Sequence, residues 1–96
     1  MALSLTLGQI KRVTLADSNV LGLNLPSGAK YLVIQPETSA LKLTTGAADG
    51  ASLPTDYFTL PVSTIAGVYV ADLSGGIGIA GASGEVVQLW AKPGGM

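Results

Sequence analysis

Eleven charged side chains and eight serines are nearly all that this 96-residue chain offers to acid–base or nucleophilic chemistry, because His and Cys are both absent. Without an imidazole no Ser-His-Asp relay can be built. Asp49 lies within, and Asp56 directly after, a glycine-containing segment from Thr44 to Thr55, and two carboxylates are the minimum for acid–base work on a glycosidic bond. Nothing in their spacing brings them together, and solvated loop charges are the plainer reading. Asp17-Ser18-Asn19 sets oxygen ligands two positions apart, as calcium loops do. The central Gly and distal Glu of such loops are missing, so it reads as a turn closed by its own Asp side chain. Gly76-Ile77-Gly78-Ile79-Ala80-Gly81 matches G-x-G-x-x-G. A dinucleotide site also needs a helix next and an acidic residue about 20 positions on. Here Gly84 interrupts, a strand-like run follows and 15 residues remain, so a glycine-rich hairpin around a short strand is expected. The chain is expected to have no catalytic residues, no metal site and no cofactor.

The same scarcity bears on how the chain is stabilised. A chain of 96 residues makes one domain, 1–96, and domains this small often lean on disulfides, a metal or a partner subunit. Zero Cys removes the first, and six scattered carboxylates argue against the second. With 48% hydrophobic residues and 11% charged, against about 25% charged in typical domains, an exposed apolar patch is expected and with it a homo-oligomer. A net charge of −1 with four lysines and one arginine cannot form the basic groove that nucleic acid requires. No run approaches the 18 apolar residues of a membrane helix, and the first ten residues lack the basic start of a signal peptide. The expectation is a protein made in a cytoplasm with no membrane partner.

Apolar residues recur at every second position, the period of a strand with one buried face. Leu3, Leu5 and Leu7 share one face, then Val13 with Leu15, and Leu21, Leu23 and Leu25 up to Pro26. Tyr31-Leu32-Val33-Ile34 is apolar on both faces, which marks a strand in the middle of two layers. Leu41 with Leu43, Tyr57 to Leu60, Val68 to Asp72, Ile77 with Ile79, and Glu85 to Lys92 complete about eight short strands. A helical turn is possible at Ser63 to Ala66. Thirteen glycines and five prolines punctuate these runs, and that spacing predicts an all-β, antiparallel sandwich or barrel. Residues 1–19 are read either as an N-terminal arm or as the first strands. Candidate contact residues are Leu3, Leu5 and Leu7, Asp49 in the long loop, Tyr57 at its border, and Trp90, which shares a strand face with Gln88.

Leu21-Gly22-Leu23-Asn24-Leu25-Pro26-Ser27-Gly28-Ala29-Lys30-Tyr31-Leu32-Val33-Ile34-Gln35 resembles a turn-plus-strand passage of small tailed-bacteriophage virion proteins. Gly67 to Ala71 and Gly81 to Trp90 are similar to their closing strands, so the resemblance spans residues 20–92. It implies a jelly-roll-like sandwich acting as a capsid cement or decoration protein, commonly a trimer seated on the major capsid protein of the virion. A small tail or fibre component is the alternative within that resemblance. A glycan-binding adhesion module with Trp90 or Tyr57 as stacking surface is the alternative outside it.

Overall fold

Alternation of side chains puts Leu32 and Ile34 on one face of a strand and Val33 and Gln35 on the other, and the chain applies that rule nine times. The computed structural model describes residues 2–72 and 76–94. The strands are β1 (Leu3–Ser4), β2 (Ile10–Thr14), β3 (Leu21–Asn24), β4 (Tyr31–Pro36), β5 (Leu41–Thr45), β6 (Phe58–Leu60), β7 (Ala66–Tyr69), β8 (Ile77–Ala80) and β9 (Val86–Lys92). They form one five-stranded sheet, β1-β3-β8-β5-β6, and one four-stranded sheet, β2-β9-β4-β7.

The pairing is nested. β2 pairs with β9, β3 with β8, β4 with β7 and β5 with β6, all antiparallel. The chain from β2 to β9 is therefore one long hairpin with β5–β6 at its tip, rolled until β4 meets β9 and β5 meets β8. That wrap is the jelly roll. β1 lies outside it, parallel to β3 with Leu3 opposite Leu23.

Several local expectations give way to this wrap. Leu3, Leu5 and Leu7 do not form one strand, because β1 ends at Ser4 and the Leu5 N–H donates to Asn24 O at 3.0 Å as the chain turns away. Residues 2–19 thus supply β1, β2 and their connections. Thr44 and Thr45 continue β5. Ser63 adopts φ 61° in a turn rather than a helix, and β7 stops at Tyr69, followed by a 3₁₀ turn at Val70–Asp72. The Gly76–Gly81 stretch builds β8, a central strand between β3 and β5 instead of a hairpin. Gly78 is required there, since a Cβ would lie 2.5 Å from Val20 Cγ1.

Between the sheets, Leu32, Ile34, Val87, Leu89 and Ala91 face Leu23, Leu41, Leu43, Ile77 and Ile79, with Leu5 and Leu15 also in the core. One end of the sandwich gathers the four connections that cross from sheet to sheet after β2, β4, β6 and β8. Glu85 stands among them with 1% of its surface exposed. Its Oε2 accepts from the N–H groups of Glu37 at 3.0 Å and Thr38 at 3.1 Å. Oε1 accepts from the Thr38 hydroxyl and from Ser39 Oγ at 2.7 Å. Its backbone accepts from Leu15 N at 2.8 Å, and Ser63 N donates to Pro36 O at 2.9 Å nearby.

Burial pushes the Glu85 carboxyl up, but the hydrogen bonds from Thr38, Ser39 and Glu37 outweigh it and hold it below its ordinary 4.5. A carboxyl depressed in the folded state stabilises the fold above its unfolded value, and that contribution disappears as pH falls through the folded value. Glu85→Gln is expected to lower unfolding free energy at pH 7 by about 1–3 kcal/mol, because buried donors lose their acceptor. In urea titrations at pH 7 and pH 3, the wild-type chain should lose stability on acidification and the variant should lose less. Equal losses would count against this role of the Glu85 carboxylate.

Candidate interaction surface

The two outer faces of the sandwich are treated differently. On the five-stranded sheet, the loop between β5 and β6 folds back over the outer surface. Asp49 Oδ1 accepts from the Gly22 N–H at 2.8 Å, and a Cβ on Gly22 would meet Asp49 Cβ at 3.1 Å. Val20 and the loop exchange backbone bonds, Val20 N to Ala51 O and Gly50 N to Val20 O, each 2.8 Å. Thr44 Oγ1 donates to Asp56 O at 3.0 Å. The long segment read as an exposed contact loop is thus partly spent on its own sheet.

Among the described residues the outer face of the four-stranded sheet has no such loop across it, and Gln35 Nε2 donates to Ser63 O in the β6–β7 turn at 3.3 Å. Register sets Ile10 beside Trp90 and Trp90 beside Val33, with Gly67 next across β7. The next row runs Arg12, Gln88 and Gln35. Ile10 is 68% exposed, and Ile65, just before β7, is 67% exposed. Together with Val33, Gln35, Gln88 and Trp90 they line a depression of about 330 Å³. A solvated sheet face normally alternates to polar residues, and this apolar stretch is an exception to that pattern.

Charges border the face on two sides. On one, Arg12 grips Glu37 through Nε and Nη2 at 2.7 and 2.9 Å, and Gln88 Nε2 donates to Glu37 Oε2 at 2.9 Å. These bonds, Arg12 first, bring the Glu37 carboxyl down to about 2 and raise the guanidinium further. On the other, Lys92 Nζ stands 4.8 Å from the Trp90 ring centroid and 5.9 Å from that of Tyr31. Tyr31 meets Tyr69 edge-on at 4.9 Å. The ring face on which a sugar would stack already carries an ammonium group. Trp90 Nε1 is buried without an acceptor among the described residues.

A second opening lies where the sheets part at β6 and β7. A gap of about 590 Å³ is lined by Leu43, Thr44, Tyr57, Phe58 and Val68. Phe58 stands on the core side of β6, opposite Leu43, yet is 77% exposed. Tyr57 is exposed at its rim with Lys42 Nζ 5.6 Å from the ring.

The sequence candidates therefore scatter. Trp90 sits on the bare face, Tyr57 at the gap, and Asp49 against β3. Leu5 is a core residue, while Leu3 and Leu7 are half-buried on their own fold. Ile10, Ile65, Tyr69 and Phe58 were not singled out. Ile10 had a signal: it is out of phase with inward Val13 and Leu15. Asp17 Oδ1 accepts from Asn19 N at 2.9 Å, as expected of the turn. Ser27-Gly28-Ala29-Lys30 has the spacing of a lysine-activated serine, but both side chains are exposed at a turn closed by Ala29 N to Pro26 O at 3.1 Å. No cluster of three acidic residues suited to a metal occurs among the described residues, nor a helix long and apolar enough to cross a membrane.

No protein-family model, curated protein or solved structure matches the chain.

The Glu37 arrangement is open to direct measurement. Carbon-detected NMR titration should show Glu37 protonating near pH 2, well below its ordinary 4.5. In Arg12→Ala the midpoint should rise, because the leading cause of the depression is gone. An unchanged midpoint would remove Arg12 from that role.

Proposed function

We propose that this chain is a structural subunit of a tailed-phage particle, a cement protein that seats its four-stranded sheet on the capsid surface. One observation carries the reading: the outer face with Ile10, Val33, Ile65 and Trp90 is bare, whereas the opposite outer face is covered by the chain's own loop. The passage that resembles phage virion proteins supports it. Its first run forms β3, the following turn and β4, and its last forms β8's exit and β9, so two of the strands it covers, β4 and β9, are the central pair of this face. A jelly roll alone does not select a role, since lectin and cupin domains share it.

Magnitudes favour many copies over one tight contact. Four strands about 4.8 Å apart and about six residues long present roughly 400 Å². At about 25 cal/mol per Å² that is ~10 kcal/mol before costs. Association itself costs about 4–15 kcal/mol. A single face is therefore marginal, and an oligomer that engages several capsid subunits at once gains by avidity. The apolar contact also needs no cofactor.

Particles purified on a density gradient should carry the protein in a fixed stoichiometry to the major capsid protein. Ile10→Asp, at an exposed site, should fold normally yet be recovered on particles at a tenth or less of the wild-type level. Absence of the wild-type chain from particles would overturn the assignment.

A further inference from the structure

Four strands edge the two sheets, and three of them are guarded against pairing with another chain. β1 is two residues long, β2 carries Lys11 and Arg12, and β6 has three residues and stops at Pro61. Shortness, charge and proline are the usual devices that keep an edge from recruiting a strand. β7, four residues long, carries neither charge nor proline. Ala66-Gly67-Val68-Tyr69 is uncharged, free of proline, and paired on one side only, with β4. Exposed apolar side chains flank it on both faces. Ile65 and Tyr69 lie on the outer side, and Phe58 borders the gap beside Val68 on the inner side.

The backbone is oriented for a partner. Val70 N donates to Lys30 O at 2.9 Å. Polar groups alternate sides along an antiparallel strand, so those of Val68 face β4 and those of Gly67 and Tyr69 face the open edge.

We infer that β7 pairs antiparallel with β7 of a second copy about a twofold axis through Gly67. In that register the two Gly67 residues exchange hydrogen bonds at the axis. Tyr69 then opposes the partner subunit's Ile65 on the outer face, twice by symmetry, an aromatic against a β-branched side chain. Ala66 opposes the partner subunit's Val68 on the inner face. A shift by one residue would set outward side chains against inward ones. A shift that moves the axis to Val68 would lay Tyr69 over the partner subunit's Gly67, a place the Tyr31 ring already fills: a Cβ there would lie 1.8 Å from Tyr31 Oη.

The occupant is a second copy, and not an unrelated strand, because the chain's own exposed residues complete the register. The product is one continuous eight-stranded sheet that joins two bare outer faces side by side. It is a twofold assembly, in place of the trimer that the phage resemblance implies, and it stands whether or not that face meets a particle.

Engineered cysteines test the register, since the chain has none of its own. In Ile65→Cys/Tyr69→Cys the two thiols of one chain are four residues apart on extended backbone, about 13 Å, too far to join each other. Opposed across the axis they stand about 5.5 Å apart at Cα and can join. Mild oxidation should give a covalent dimer of twice 9.6 kDa, and neither single variant should. Sedimentation velocity of the wild-type chain should show a dimer fraction that rises with concentration. Ile65→Lys, checked for fold by circular dichroism, should weaken it at least tenfold. A wild-type chain monomeric at every concentration, with no cross-link in the double variant, overturns the pairing. So does efficient cross-linking of an Ile10→Cys single variant, which would put the contact at the opposite side of the face.

Discussion

One buried carboxylate sets the relation between the two sheets. A jelly roll must carry its chain from layer to layer repeatedly, and each crossing leaves backbone N–H groups without a ladder partner. Glu85 collects the donors of the β4–β5 crossing on its side chain while its backbone holds the β2–β3 crossing at Leu15. It is itself part of the β8–β9 crossing. Burying a charge is unfavourable unless its acceptor capacity is filled, and here the fold fills it with the Glu37 and Thr38 N–H groups and the Thr38 and Ser39 hydroxyls. Two liabilities cancel each other, and the register of one sheet over the other follows.

From that end outward, the fold divides its resources unevenly. The five-stranded sheet has glycines on its outer row, Gly22 and Gly78, and the space they leave is taken by Asp49 and Val20. The four-stranded sheet keeps larger side chains on its outer row, Val33 and Trp90 among them, with only the Lys92 ammonium seen over the Trp90 ring among the described residues. Arg12, Glu37 and Gln88 close on themselves at one side and Lys92 leans on two rings at the other, while Trp90 Nε1 between them has no acceptor among the described residues. What is left in the middle is the depression lined by Ile10, Val33, Ile65 and Trp90 together with Gln35 and Gln88.

The layer class was legible because period-two alternation is local. Tyr31 to Ile34, apolar on both sides, is indeed a central strand, with Leu32 and Ile34 in the core and Val33 outside. Trp90 was legible as a surface aromatic from its phase with Gln88. The rest depended on contacts remote in sequence. Glu85 reads as a charge at a strand start until donors 46 to 48 residues away are placed around it. The glycine-rich loop reads as exposed until Asp49 finds Gly22, 27 residues back. Ile65 lies in the Ser63 to Ala66 segment that reads as a helical turn ahead of the strand. Only the position of β7 at an edge leaves it uncovered.

The nesting of the strands also orders events in time. β9 lies between β2 and β4, so the four-stranded layer has no continuous hydrogen-bonded middle until the last strand of the roll has been synthesised. Before then, Leu32 and Ile34 have no β9 beside them, and the long-range closures that define this topology are the slow kind. The β4–β7 and β5–β6 pairs can form earlier, but the four-stranded layer is completed only when β9 is in place. While it waits, β2 and β4 are both open edges within reach of other nascent chains.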